Sequence, residues 1–191
     1  SDGTLNTAGA LGFSITGGSV SFAIVRPAGV LPTDQTRYFG MEIALVGAQL
    51  VGIPGVTFRA TGSVLINKAT NAAGPTSQRV DWFTATNSTN DPHGLIPPFS
   101  SRLNKDVELQ IDGSAALDIF SAVVGKASFS ITQGTDTIGT GNTNIGGGTL
   151  PNASVMIISL SDLNLFAGIG GSLTAPRGPT NVRPHTIHTA G

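Results

Sequence analysis

The chain of 191 residues carries 10 basic and 11 acidic side chains, a formal net charge of −1, and 11 % charged residues, against about 25 % in ordinary globular domains. Glycine is abundant at 26 residues, hydrophobic residues make up 39 %, and there is no cysteine. These figures exclude a disordered tract, a basic field for nucleic acid or an anionic membrane, disulfides, thiolate metal sites and thiol catalysis.

Residues 1–11 (SDGTLNTAGAL) have no periodic pattern and are expected to form an N-terminal arm. They contain no basic region followed by an apolar run, so no signal peptide is read there. With no initial methionine, the chain is expected to be a mature product or a piece of something longer. The longest apolar region, MEIALVGAQLVGIPGV, contains Glu42, Gln49 and Pro54. It falls short of the ~20 residues that a membrane-spanning helix needs.

The first strand signal is GFSITGGSVSFAIV. Phe13 and Ile15 are apolar at odd positions, but after Gly17 and Gly18 the apolar residues are Val20, Phe22 and Ile24. Parity has flipped. A two-residue Gly-Gly hairpin would do this, pairing Thr16 with Ser19 and Phe13 with Phe22, and is the favoured reading. A one-residue bulge flips parity equally well.

Period-two strands follow at residues 38–46 (YFGMEIALV) and 55–67 (GVTFRATGSVLIN), and another is expected at 80–85 (VDWFTA). In VELQIDGSAALDI, Leu109, Ile111, Gly113 and Leu117 alternate with Glu108, Gln110, Asp112 and Asp118. That pattern predicts one dry and one wet face, as in an antiparallel sheet. The parity persists past Ser121 into Ala127, Phe129 and Ile131, so an odd-length turn is expected near residues 121–124. The last strands are expected at 154–160 (SVMIISL) and 163–171 (LNLFAGIGG), joined by a turn at Ser161 and Asp162 where parity changes again. No sustained helical stripe is present, so helix content should be small.

The segments RPAGVLPTDQT, KATNAAGPTSQ, NSTNDPHGLIPPFSSRLNK and QGTDTIGTGNTNIGGGTLPN read as long loops. Residues 174–191, with three prolines, read as an extended C-terminal arm or linker after a single β domain over 1–173. The fold class expected is all-β: a mainly antiparallel twisted sheet or a two-sheet sandwich with long loops.

A G-S-(V/A) frame recurs at Gly18, Gly62 and Gly113. Parity puts Gly62 and Gly113 on the dry face, where a glycine lets a strand bend or a neighbour come close. Gly17, Gly18, Gly62 and Gly113 are therefore the candidate structural positions. Catalytic candidates are absent. Ser63 and Ser114 lie on wet strand faces without a G-x-S-x-G elbow, and no phosphate-binding glycine motif precedes a helix. The aromatics, Trp82 and Tyr38 included, are assigned to core packing within strands. His93 reads as a loop residue, and His185 and His188 as tail residues. Asp136 and Asn142, set among glycines, are weak calcium candidates, and no other cofactor is expected. Asn87 and Asn152 begin N-x-[ST] sequons, both in expected loops.

RYFGMEIAL, LVGIPGVTF, VELQIDGSAALDIF and ISLSDLNLFAGIGG, in that order, resemble the β-rich modules repeated in tandem along very large bacterial secreted or cell-surface proteins. The resemblance runs over roughly residues 12–173 and implies a structural or adhesive role outside the cell, with copies or neighbouring modules as partners. The expected function is non-enzymatic: assembly into a chain or filament by pairing of sheet edges or arms. The alternative is an adhesin domain that binds a surface glycan or protein through its long loops.

Overall fold

A computed structural model describes residues 6, 8–28, 33–76 and 78–173. The fold is all-β. Eight strands form one antiparallel sheet: β1 (Gly12–Ile15), β2 (Gly18–Val25), β3 (Arg37–Val51), β4 (Val56–Asn71), β5 (Gly74–Thr76), β6 (Val107–Ile119), β7 (Val123–Gly139) and β8 (Thr149–Ala167). Among the described residues there is no second sheet, so the sandwich alternative falls. A single turn of helix, α1 (Trp82–Ala85), and a 3-10 turn at Gly146–Gly148 complete the elements.

Across the sheet the order is β1 and β2, then β3, β4, β6, β7 and β8, with β5 a short extra pairing on the end of β4. The strands outrun their sequence-predicted limits. β4 continues through Lys68–Asn71, and β7 and β8 extend into the expected glycine-rich loop as far as Gly139 and Thr149. Long antiparallel ladders satisfy backbone groups that loops would leave to water. β6 and β7 are joined by Phe120, Ser121 and Ala122, the odd-length turn that preserved parity requires. Phe120 and Ser121 are left-handed (φ 52° and 54°), and Asp118 Oδ1 accepts from the Ser121 amide at 2.9 Å.

Two parity changes resolve differently from the sequence reading. Gly17 and Gly18 do not make a hairpin. β1 and β2 lie end to end along the same edge of β3, Ile15 opposite Ala48 and Gly18 opposite Leu45. The amides of Thr16 and Val46 donate to the carbonyls of Gly47 and Gly17 at 2.8 and 3.1 Å, and Gly17 takes φ 78°. β3 carries the matching extra residue against β4, with Val46 and Gly47 opposite Thr61. It is a bulge running through two neighbouring strands. Ser161 and Asp162 are likewise no turn: β8 runs straight through them. Asp162 and Leu163 oppose Ala127, with Asp162 at φ 51°. One inserted residue re-aims every later side chain, so a bulge leaves the same alternation break as a tight turn.

The frame glycines fall together. Gly18, Leu45, Gly62, Gly113, Phe129 and Leu160 form one transverse row. A Cβ at Gly62 would stand 2.5 Å from the Asp112 carbonyl oxygen, and one at Gly113 would stand 2.6 Å from that of Thr61. At Gly18 it would meet the Ala44 oxygen at 2.7 Å. The repeat therefore marks where neighbouring strands approach more closely than any side chain allows.

The buried core lies on the face that alternation marks as wet. Leu65, Asn67 and Ala69 point to it from β4 and are buried; Leu65 packs with Trp82, Phe99 and Leu103, and Asn67 bonds the Trp82 indole. Val80 and Trp82 are not strand residues as the sequence reading had them. Asp81 caps α1 by accepting from the Thr84 amide at 2.9 Å, and the indole of Trp82 packs where Gly40 leaves room for it. A Cβ on Gly40 would sit 2.5 Å from Trp82 Cε2. The long segment 86–106 is thus not a free loop. It returns across the sheet to place Phe99, whose ring lies 5.5 Å from that of Trp82.

The opposite face, the one alternation marks as dry, has no cover among the described residues. Its central row is Val20, Ile43, Val64, Ile111, Ile131 and Ile158, all β-branched. Val20 is 63 % exposed and Ile158 69 %.

Candidate assembly interface

The two outer strands are the least protected parts of the molecule. β1 and β2 form one edge and β8 the other, and neither has a partner on its outer side among the described residues. An edge presents unpaired N–H and C=O groups and is normally blunted by lysines, prolines or a covering loop. β1 and β2 carry no charge and no proline, and β8 has only Asp162 and, near its start, Pro151. On the bare face, Phe13 (72 % exposed) and Leu165 (70 %) mark one end of the two edges, and Phe22 and Met156 lie toward the other. From the Phe13 row to the Phe22 row every described position on that face is apolar or glycine, Gln133 excepted. A charge-free face of this extent, beside open edges, is suited to contact with protein rather than water.

The polar face is built differently. Asn67, fully buried, has both donors and its oxygen engaged: its Nδ2 donates to the carbonyls of Val80 (2.7 Å) and Asn104 (2.8 Å), and its Oδ1 accepts from the Trp82 indole at 3.0 Å. Arg79, its side chain 3 % exposed, donates to the Lys105 and Asp106 carbonyls and to Thr135 Oγ1, and pairs with Glu108 at 3.6 Å. Lys68 pairs with the same Glu108. Arg102 joins the 86–106 segment to Asp112, whose other oxygen accepts from Ser130 at 2.7 Å. The Ser100 amide donates to Glu42 at 2.9 Å. The Asn67, Arg79, Arg102 and Ser100 contacts tie the stretch from residue 79 to 106 to the sheet, and the Lys68–Glu108 and Ser130–Asp112 pairs join neighbouring strands. At the other end of this face a shallow groove of about 440 Å3 is lined by Arg59, Thr61, Ser114, Lys126, Asp162 and Asn164. Thr61 and Ser114 bridge hydroxyl to hydroxyl at 3.0 Å across its floor.

The Thr36 hydroxyl and amide hold the Asp34 carboxyl below the usual carboxylate range, and Asp106 beside Lys105 raises its ammonium. Both are pairs of near neighbours in sequence, the first part-buried and the second exposed.

The candidate calcium residues do not share a site: Asp136 Oδ1 accepts from the Thr137 amide on β7, and Asn142 Oδ1 accepts from the Asn144 amide in the following hairpin loop. Among the described residues no cluster of three or more His, Asp or Glu side chains is close enough to hold a metal. His93 lies in an exposed turn after Asp91, whereas His185 and His188, with the rest of the C-terminal arm, lie outside the described residues. Asn87 sits in the turn after α1, its Oδ1 accepting from the amides of Thr89 and Asn90. Asn152 is not in a loop: it is an exposed β8 residue at φ 54°, beside a register shift against β7. No described helix is long and apolar enough to cross a membrane.

Asn67, Gly40 and the covering role of 86–106 were not legible in the sequence. The one available signal was Asn67 and Gly40 interrupting strand patterns in phase with Leu65 and Glu42, opposite one another in adjacent strands. No family model matches the chain, and neither a curated protein nor a solved structure matches it.

Proposed function

We propose that this protein is a structural module of the cell exterior that assembles into a chain or filament by pairing its sheet edges with those of other copies. The observation that carries the reading is a single sheet whose two long edges have no partner and no cover among the described residues. An added strand gains a full ladder of main-chain hydrogen bonds at such an edge. The low charge and the resemblance to tandem β modules of bacterial surface proteins support the exterior location. Edge pairing between unlike edges is heterologous, so it is not limited to a dimer: it builds a ring where the rotation closes and an open chain where it does not.

Electron microscopy and sedimentation velocity on the purified chain test this. Filaments or a concentration-dependent series of oligomers are expected, and Ile158→Lys on β8 should suppress them while leaving the circular dichroism of the sheet unchanged. Monodisperse single particles at all concentrations would reject the reading in favour of a binding module.

A further inference from the structure

The two edges match one another in direction, in register and in their defects. Six strands lie across the sheet from β2 to β8, each antiparallel to the next. An even number leaves the outer strands antiparallel, so a second copy set edge to edge in the same orientation meets β8 with an antiparallel β1 and β2. Hydrogen-bonded and non-hydrogen-bonded pairs alternate across each row of an antiparallel sheet, because a residue's N–H and C=O point to the same side. Across six strands that alternation continues into the next copy without a fault.

The bulges complete the match. The inserted residue of the β1, β2 and β3 side lies at Thr61, and that of β8 lies opposite Ala127. Thr61, Ser114 and Ser128 share a row, so the two defects are one residue apart along the strands. Each edge therefore flips parity at the same level of the sheet. Resting on the assembly reading above, we infer that β8 of one copy pairs with β1 and β2 of a second copy of this chain, with Leu160 opposite Gly18. Ile158 then faces Val20, and beyond the bulges Leu163 faces Ile15 in the same unbroken register. The whole edge from Gly12 to Val25 falls opposite residues 153–166, inside β8. A slip of one residue would turn one edge's apolar side chains to the wrong face. A slip of two would move one bulge past the other and, depending on its direction, set Gly18 and Leu163 or Ile15 and Leu160 against bulge residues.

The described chain offers no other occupant for these edges. The large aliphatic residues outside the description are Leu5, Val30 and Leu31 in short segments, and Val182 and Ile187 in the tail 174–191, which carries three prolines. None of those segments repeats the alternation with its flip.

With no native cysteine, the test is a mixed cross-link. Val20→Cys and Ile158→Cys chains are mixed in equal amounts, oxidised and run on a non-reducing gel. Phe22→Cys with Met156→Cys is a second pair in the same register, and Val20→Cys with Leu163→Cys is the mismatched control. Bridged dimers several-fold above the control are expected for both matched pairs. Oligomers in sedimentation velocity whose matched pairs cross-link no better than the control would overturn this register and leave the assembly reading standing. Monomers at every concentration would overturn both.

Discussion

Asn67 and Gly40 show how one polar and one absent side chain hold the covering segment in place. Asn67 makes three hydrogen bonds in a fully buried position. Asn67→Ala leaves the Trp82 indole and the Val80 and Asn104 carbonyls without partners, each costing about 1–3 kcal/mol when buried. The variant is expected to lose about 3 kcal/mol of stability or more, read as a lower urea midpoint. Gly40→Ala drives a methyl into the Trp82 ring. Overpacking of this kind costs about 1–3 kcal/mol. Because Trp82 is the sole tryptophan, its displacement should appear directly as a red shift in fluorescence. Neither effect follows from propensity. Gly40 and Asn67 each look like a weakness in a strand until the indole that needs both is folded over them.

At the level of single strands, the glycines separate into those that carry geometry and those that do not. Gly62 sits with its missing Cβ 2.5 Å from a neighbouring carbonyl oxygen, whereas Gly139 on β7 has open space and an ordinary φ. Gly62→Val should therefore lower the thermal midpoint sharply, and Gly139→Ala should leave it unchanged or slightly raised. Differential scanning calorimetry on the two variants measures the contrast. The alternation that identified the strands is strong because side chains on a strand point to opposite faces with period two. Its breaks were legible at Gly17 and Asp162, but their meaning was not. A hairpin and a bulge produce the same local offset, and only pairing with β3 and β7 distinguishes them. The Val80 and Trp82 region failed for another reason. Four residues of VDWFTA are too few for periodicity to separate a strand from a helical turn, and the Asp81 cap decided it.

For the described molecule as a whole, the consequence is an apolar face and two sheet edges that no described residue covers. In an edge-paired chain the Val20 and Ile158 row would continue from copy to copy as one unbroken apolar surface. Sheets twist by roughly 20–25° per strand, so such a chain would wind as it grows. The edge strands would become interior strands, and the main-chain amides of Gly12–Ile15, Gly18–Val25 and β8 would exchange slowly. Hydrogen–deuterium exchange before and after concentration should show protection arising on these outer strands while the central β4 and β6 change little. Uniform protection, or protection confined to 86–106, would speak against edge pairing. The groove at Arg59, Lys126 and Asp162 lies on the other face and stays open in that arrangement.

By itself the sequence determined the class: period-two alternation, few charges and plentiful glycine permit long antiparallel strands and little helix. It also marked the slips at Gly17 and Asp162, because side-chain polarity records which way a residue points, but not the shifts at Val46–Gly47, Val107–Leu109 and Asp136–Ile138. Only the tertiary structure decided which face is covered. That depends on a segment some twenty residues long crossing back over strands distant in sequence, and alternation is blind to it: it places Leu65 and Asn67 on the polar side, yet they are buried. The same is true of the glycine row and of the matched edges, since register between strands is a property of pairs and not of either strand alone.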